Sequence, residues 1–450
     1  MVASSPESLF HSPGWGPDRM NAATKDQALD PVPLLPRDAT ETLQQGSVLL
    51  ATAVRLRRGP RGMQIDDQTF AGLARYAENF QWVKFAGIGL DSEKEEETSV
   101  TWLDVIDHPH ADRIEFIALP HAYRISSFLR CYKRTRTVLG NHIRQVDHLC
   151  FTLGYLFGDW GAVAALEADA QGRKFAVWFD RVEHDVIART LPTLNFRRRI
   201  KERATLPIMK RYHRYLIGRS ALGLFQGRDT FNAYAEASSN PVCMYDVHTD
   251  EGDKISPEDL RIKTARAMSG APLRILYAGR AAEMKGPEDW IASLAEAATR
   301  GVKFEARWLG DGPLLPRMQA LLEKTGLTDR VKLMGHVADR ETVLQAMRES
   351  DLFLFCHKTP ESPRCLIESL VSGCPIVGYA SPYPQDLLSL HGGGTLTPLD
   401  DPAELGLKIA ELDQNRQTLA KDIQNAALSG MRFDEATLYL RRAELLKAFT

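Results

Sequence analysis

Two hydrophobic spacings alternate along this chain. Short, nearly unbroken apolar runs over 47–54, 82–88, 113–119, 148–155, 175–180, 222–226 and 242–245 predict strands buried on both faces. Between several of them, apolar residues recur at helical spacing, over 68–80, 122–139 and 161–170. The second half restarts the pattern. Strands are predicted over 274–277, 304–309, 331–334, 352–356 and 375–379. Helices are predicted over 287–300, 313–326, 340–349, from just after Pro363, and over 401–412, 416–429 and 433–449. Strands alternating with helices imply βαβ units and mainly parallel sheets. The fold class is therefore α/β, with two doubly wound, Rossmann-like domains facing a cleft.

The polar stretches divide the chain. Residues 1–45 are rich in Pro, Ser, Asp and Ala without sustained periodicity and are expected to be a disordered tail. A first domain is expected over 46–260, a second over 261–432, and a last helix, 433–450, returning to the first. The basic stretch 55–62 (RLRRGPRG) reads as a loop facing the cleft, 90–99 as an acidic loop, and 246–270 as the connection between domains.

Composition narrows the class. With 44% hydrophobic and 25% charged residues the chain is that of a globular protein. Its formal net charge of −2 gives no global attraction to nucleic acid. No run reaches the roughly 20 apolar residues needed to span a bilayer, and the first residues lack the basic-then-apolar order of a secretory signal. The six cysteines are scattered without a Cys-x-x-Cys pair, as expected of reduced thiols in a cytoplasmic protein without a zinc site.

Chemistry concentrates at predicted strand ends. In 351–379 (DLFLFCHKTPESPRCLIESLVSGCPIVGY) a buried strand runs into the polar loop 357–363, a helix opens after Pro363, and Gly373 closes it before the next strand. Glu361 stands at the helix entrance and Glu368 about two turns in, where both can accept hydrogen bonds from hydroxyls while the helix N-terminus faces an anion. Taken alone, the pair fits equally an ordinary first-turn acid and an exposed helix-face residue. In 277–286 (YAGRAAEMKG) a strand ends at Gly279, Arg280 follows, and Lys285 precedes the next helix. An Arg fork and a Lys point charge at a strand end can hold phosphate oxygens, against the alternative of two ordinary surface cations. Gly310 and Gly312 form a tight turn after a strand, but the order Gly-x-Gly-x-x-Gly is absent. Asp180 ends the strand FAVWFD, either to position a substrate or to cap the helix that follows. His184 is a further candidate, or a helix-face residue. From 195 to 219 there are nine Lys or Arg and one acid, interleaved with Ile, Leu, Met and Tyr. This is a solvated basic face, a surface for an anionic membrane, or, last, a nucleic-acid surface.

Residues 368–377 (ESLVSGCPIV), together with the Gly-Arg-…-Lys-Gly run at 279–286 and the Gly-x-Gly-Pro turn at 310–313, resemble the signature of retaining, nucleotide-sugar-dependent glycosyltransferases of family four, glycosyl transferases group 1. The first half of the signature departs: Glu361 lies one residue closer to Glu368 than is usual, and an ungapped match would put Pro360 in its place. The resemblance spans 272–430 and implies the GT-B architecture. It implies that Arg280 and Lys285 clamp the leaving diphosphate, that Glu361 contacts the donor sugar, and that Glu368 contacts the ribose. It further assigns Gly279, Gly310, Gly312, Gly335, His336, Val337, His357, Ser362, Pro363, Arg364, Cys365 and Leu366 to substrate binding. Asp180 joins Arg280, Lys285 and Glu361 as a catalytic candidate. The expected reaction is sugar transfer with retention to a saccharide or lipid-linked acceptor in polysaccharide or glycan biosynthesis, without cofactor or metal, in the cytoplasm or at the inner face of the membrane. Alternatives are a nucleotide-sugar epimerase or hydrolase on the same fold, or a catalytically silent GT-B scaffold.

Overall fold

The computed structural model describes residues 45–90, 101–359 and 361–450. The tail expected over 1–45, apart from Gln45, the acidic stretch 91–99 and Pro360 lie outside the described residues.

The first sheet is built from β1 (Ser47–Gly59), β2 (Gly62–Asp66), β3 (Trp82–Gly89), β4 (Trp102–Asp104), β5 (Ile114–Pro120), β6 (His148–Thr152), β7 (Ala176–Phe179), β8 (Leu222–Gln226) and β9 (Pro241–Met244). Its parallel body runs β5-β3-β1-β6-β7-β8-β9. The second sheet comprises β10 (Leu273–Ala278), β11 (Phe304–Leu309), β12 (Val331–Leu333), β13 (Leu352–Phe355), β14 (Ile376–Tyr379) and β15 (Gly394–Thr397). It is parallel throughout, in the order β12-β11-β10-β13-β14-β15. The runs LFLF of β13 and IVGY of β14 are wholly buried, the pattern of strands covered by helices on both faces. Strand order reverses between β1 and β6 in one sheet and between β10 and β13 in the other. Crevices for ligands open beyond the carboxyl ends of strands at such points.

Two readings are corrected. The stretch 55–62 is not a cleft loop: β1 continues to Gly59 and turns into β2, with Arg57 paired to Gln64 and Gly59 to Gly62. Alternation explains it, since Leu56 is buried while Arg57 lies outward with its guanidinium 4.5 Å from the Trp102 ring. The domain boundary at 260/261 cuts through a helix, Pro257–Met268. That helix packs whole on the second domain, because Lys263 Nζ donates to the carbonyls of Met347 and Ser372, both at 3.1 Å. A buried ammonium needs such partners. The second domain therefore begins before Pro257, and the supposed connection is largely helical.

The final helix, Glu435–Phe449, lies against the helix Asp67–Asn79 of the first domain. Arg75 Nε meets Glu435 Oε2 at 2.9 Å, and Lys447 Nζ donates to Asn79 O at 2.7 Å. Elsewhere the domains touch where Ser362 Oγ donates to Gln226 O, the Tyr383 amide to Asp229, and Arg228 pairs with Asp386. Gly227 lets that approach happen: its φ is +71°, and a Cβ there would lie 2.2 Å from Ser362 Oγ.

Candidate active site

On the second domain's side, the loops after β10, β11 and β12 stack backbone against backbone. The Gly279 amide donates to Leu309 O, the Ala281 amide to Asp311 O, and the Gly310 amide to Gly335 O at 2.8 Å. A Cβ on Gly310 would stand 2.0 Å from Gly279 O, and one on Gly312 2.4 Å from Ala281 O. Here, then, the glycines hold the loops together. They set the platform from which Arg280 projects. Arg280 is exposed, and its side chain makes no hydrogen bond or ion pair among the described residues.

Lys285 reaches the same place along a different route. The turn Glu283–Lys285 ends at Gly286, whose φ of +61° is left-handed and whose Cβ would lie 2.1 Å from Cys356 O. This close contact presses Lys285 against the end of β13, where Nζ bonds Glu361 Oε2. His357 completes the cluster. It is buried, its Nε2 lies 2.6 Å from Tyr277 Oη, and its Nδ1 lies 3.5 Å from Glu361 Oε2. Burial, then Lys285, pushes the His357 imidazole down to about 4, so it is neutral near pH 7. Burial alone would raise Glu361, but His357 and Lys285 outweigh it and hold the carboxyl at about 2. Lys285, His357 and Glu361 thus come together beyond the end of β13, and Arg280 follows the end of β10, the strand paired to it.

The other predicted residues divide. Pro363 is the N-cap of the helix Arg364–Val371, and the Leu366 amide is already taken by Pro363 O at 3.2 Å. The Leu366 side chain lies in the core, so it is corrected from a ligand contact to a packing residue; the amides of Arg364 and Cys365 remain at the helix start. Cys365 is half-buried, and burial pushes its thiol up to about 12, which leaves it inert. Glu368 lies within the helix Arg364–Val371; burial raises its carboxyl against Arg340, Arg364 and His248. His336 is exposed, whereas Val337 lines a pocket of about 420 Å³ with Leu309, Met334 and Thr342. Ser362 is drawn into the domain contact described above. Beyond these, the backbone at Gly393 packs closely, since a Cβ there would lie 2.5 Å from Ala426, and Gly394 opens β15.

Across the cleft, a pocket of about 390 Å³ opens at the ends of β1, β6 and β7. Asp180 lines it but does not cap the helix Glu183–Thr190; its Oδ1 accepts from Trp178 Nε1. Enclosure raises its carboxyl, Asp246 adds to that, and Arg364 and Arg442 oppose it. Arg364 bridges the domains here, with Nε 2.9 Å from Asp246 Oδ2 and Nη1 2.6 Å from Gln68 Oε1. His184 is absent from this wall; it is buried 3.3 Å from Tyr234 Oη. Asp246, His248 and Arg442 are pocket residues that the sequence reading missed. Asp246 and His248 stood inside a polar stretch read as a connection, and nothing sets Arg442 apart within an amphipathic helix. Among the described residues no group of three or more His, Cys, Asp or Glu is placed to hold a metal ion.

Residues 261–429 match the family model described as glycosyl transferases group 1. Alpha-D-kanosaminyltransferase of Streptomyces kanamyceticus is 25% identical over 231 residues, 50% of this chain and 60% of that protein. Alpha-monoglucosyldiacylglycerol synthase of Streptococcus pneumoniae is 24% identical over 177 residues, 38% of this chain and 40% of that protein. The chain thus spans about half the length of the curated relatives it matches. Anabaena HepE, solved in complex with UDP, superposes with a TM-score of 0.62 at 17% identity, covering 90% of this chain and 100% of that one.

Proposed function

Since residues 261–429 are a glycosyl transferases group 1 domain and the chain has the GT-B fold, we propose that it is a retaining glycosyltransferase that moves a sugar from a nucleotide-sugar donor to a saccharide or lipid-linked acceptor, in polysaccharide or glycan biosynthesis. The observation that carries this reading is the cluster at the β10–β13 switch point, where Arg280 stands free and Lys285 is held against an ionised Glu361. As the glycosidic bond breaks, the departing diphosphate gains one unit of negative charge on its leaving oxygen, which nearby cations stabilise. Arg280 forks onto phosphate oxygens, and Lys285 shifts from Glu361 to the diphosphate. Glu361, released, accepts from donor-sugar hydroxyls, and Glu368 from the ribose. The amides of Arg364 and Cys365 face the phosphates from a helix N-terminus. Val337 and the backbone of Gly335 and His336 border the base. In this reading the cations replace a metal, and Asp180 orients the acceptor or the sugar from across the cleft.

The uridine nucleotide of Anabaena HepE makes a UDP-sugar the first donor to try. The 2-deoxystreptamine named for two Streptomyces relatives and the glucosyldiacylglycerol named for the pneumococcal one give the acceptor chemistries to try. The helix Phe196–Arg219 suits a lipid-linked acceptor, since exposed Phe196, Ile200 and Ile208 stand among its basic residues, complementary to an anionic membrane. No helix among the described residues is long and apolar enough to cross a membrane. The reading places the protein in the cytoplasm, peripheral to the inner leaflet.

Incubation with a panel of nucleotide sugars and acceptors tests it, with release of nucleoside diphosphate and the anomeric configuration of the product read by NMR. An α-linked product from an α-linked donor, formed equally in EDTA, supports the proposal. Free sugar without acceptor dependence, a C2-epimer, or inversion overturns it.

A further inference from the structure

Arg442 is an unusual charge. It belongs to the returning helix Glu435–Phe449, is 5% exposed, and enters the wall of the first-domain pocket. Three rings enclose it, with the guanidinium carbon 4.1 Å from Trp178, 4.5 Å from Tyr439 and 5.9 Å from Tyr76. Stacking on rings uses the faces of a guanidinium and leaves its N–H edge unspent. Nη1 reaches Tyr76 Oη at 3.3 Å, but Nε and Nη2 are buried without a partner. Among the carboxylates Asp246 offsets it most, and Asp246 is already held by Arg364. His248 Nε2 lines the same pocket, 3.8 Å from Asp246 Oδ2 and without a partner at hydrogen-bond distance. His248 Nδ1 lies 3.0 Å from Glu435 Oε1, and the acids around it outweigh burial to favour the imidazolium. Leaving buried charged donors unmade is costly, and a cage of three rings that fixes the cation in place does nothing to satisfy its edge.

We propose that this pocket binds an oxyanion, a carboxylate or a phosphate, carried by the acceptor molecule, with Arg442 Nε and Nη2 as its fork and His248 Nε2 as a third donor. The pocket's volume of about 390 Å³ lies within the range of small-molecule sites. Asp180, on the same wall, faces the neutral hydroxyls of such a ligand. Arg442 thereby selects among acceptors, a specificity role delivered by a helix from the far end of the chain. The word acceptor rests on the transferase reading; binding of the oxyanion does not.

Calorimetric titration of the full chain with D-glucuronate, D-glucose 6-phosphate, inorganic phosphate and neutral D-glucose tests the proposal. The proteins are the wild type, Arg442→Gln, Arg442→Lys, His248→Gln and Lys285→Ala. One of the two sugar anions is expected to bind the wild type and Lys285→Ala alike, with D-glucose silent. Glucuronate binding assigns a carboxylate, and glucose 6-phosphate binding, competed by inorganic phosphate, a phosphate. Arg442→Gln is expected to weaken binding at least about tenfold, with Arg442→Lys and His248→Gln in between. Should Arg442→Gln fail to fold, as read by circular dichroism, the Lys and His248 variants carry the comparison. No binding by either sugar anion, binding unchanged across the Arg442 and His248 variants, or binding abolished by Lys285→Ala overturns the site. Intact oxyanion binding without any sugar transfer overturns the transferase reading alone.

Discussion

On the second domain's side of the cleft, the clustered groups come from loops between Tyr277 and Glu368, and each loop follows a strand of one sheet. On the first domain's side, the pocket draws Thr52, Asp180, Asp246, Arg364 and Arg442 from across nearly the whole described chain. The first arrangement is fixed by main-chain contacts, glycine against carbonyl. The second is fixed by side chains, rings around a guanidinium and carboxylates around an arginine fork. A site of the first kind tolerates little backbone change and keeps one chemistry. A site of the second kind can be retuned one side chain at a time.

The largest expected effect is at the first site. Lys285→Ala should lower turnover about 10²- to 10³-fold, the scale of removing one preorganised charge-stabilising donor, while thermal stability changes little. Steady-state rates beside a melting curve check it. A melting temperature that collapses with activity would make Lys285 a structural residue instead.

Next comes stability. Gly310→Ala places a methyl 2.0 Å from Gly279 O and should cost about 1–3 kcal/mol in chemical denaturation. Gly72→Ala in the first-domain pocket meets only the end of the Tyr439 side chain, at 2.6 Å, and gains helix propensity. It should cost well under 1 kcal/mol. Equal costs would erase the contrast between main-chain and side-chain construction.

The two histidines supply a comparison of opposite sign. His357 titrates at about 4 when folded, below its unfolded value of roughly 6.5, so between these values the unfolded chain binds more protons. Its contribution, about 3 kcal/mol, is present above pH 6.5 and lost as pH falls towards 4. His248 is raised, so its contribution is present below about pH 6.5 and lost as pH rises through its folded value. Denaturation midpoints of His357→Gln and His248→Gln against pH should therefore flatten the wild-type curve on its acid and alkaline sides respectively. Flattening on the same side in both would refute the assignment. A smaller effect is expected from Ser362→Ala, which removes one half-exposed hydrogen bond to Gln226 O and should cost roughly 1 kcal/mol or less.

The same contrast governs what could be read before folding. The parallel strands β13 and β14 announce themselves as unbroken apolar runs, and the donor-side residues lie beside them in continuous stretches. The turn at 55–62 misleads because alternating Arg and Leu looks like a basic loop until Leu56 is seen to face the core. The helix Pro257–Met268 misleads because its anchoring residue is Lys263, whose partners are backbone carbonyls invisible to hydropathy. Leu366 is misassigned by a motif that marks a helix start without telling which face it turns inward. Arg442 carries no local signal, since its meaning comes from Tyr76 and Trp178, hundreds of positions away.

The most direct test of the central claim, that the β10–β13 switch point is a diphosphate site built around Lys285, is thermal stabilisation by nucleoside diphosphates. Wild type and Lys285→Ala would be melted with UDP, GDP, ADP and CDP, each far above its dissociation constant. The account predicts that one of them raises the wild-type melting temperature and leaves Lys285→Ala unmoved. No shift with any nucleotide, or an equal shift in both proteins, would contradict it.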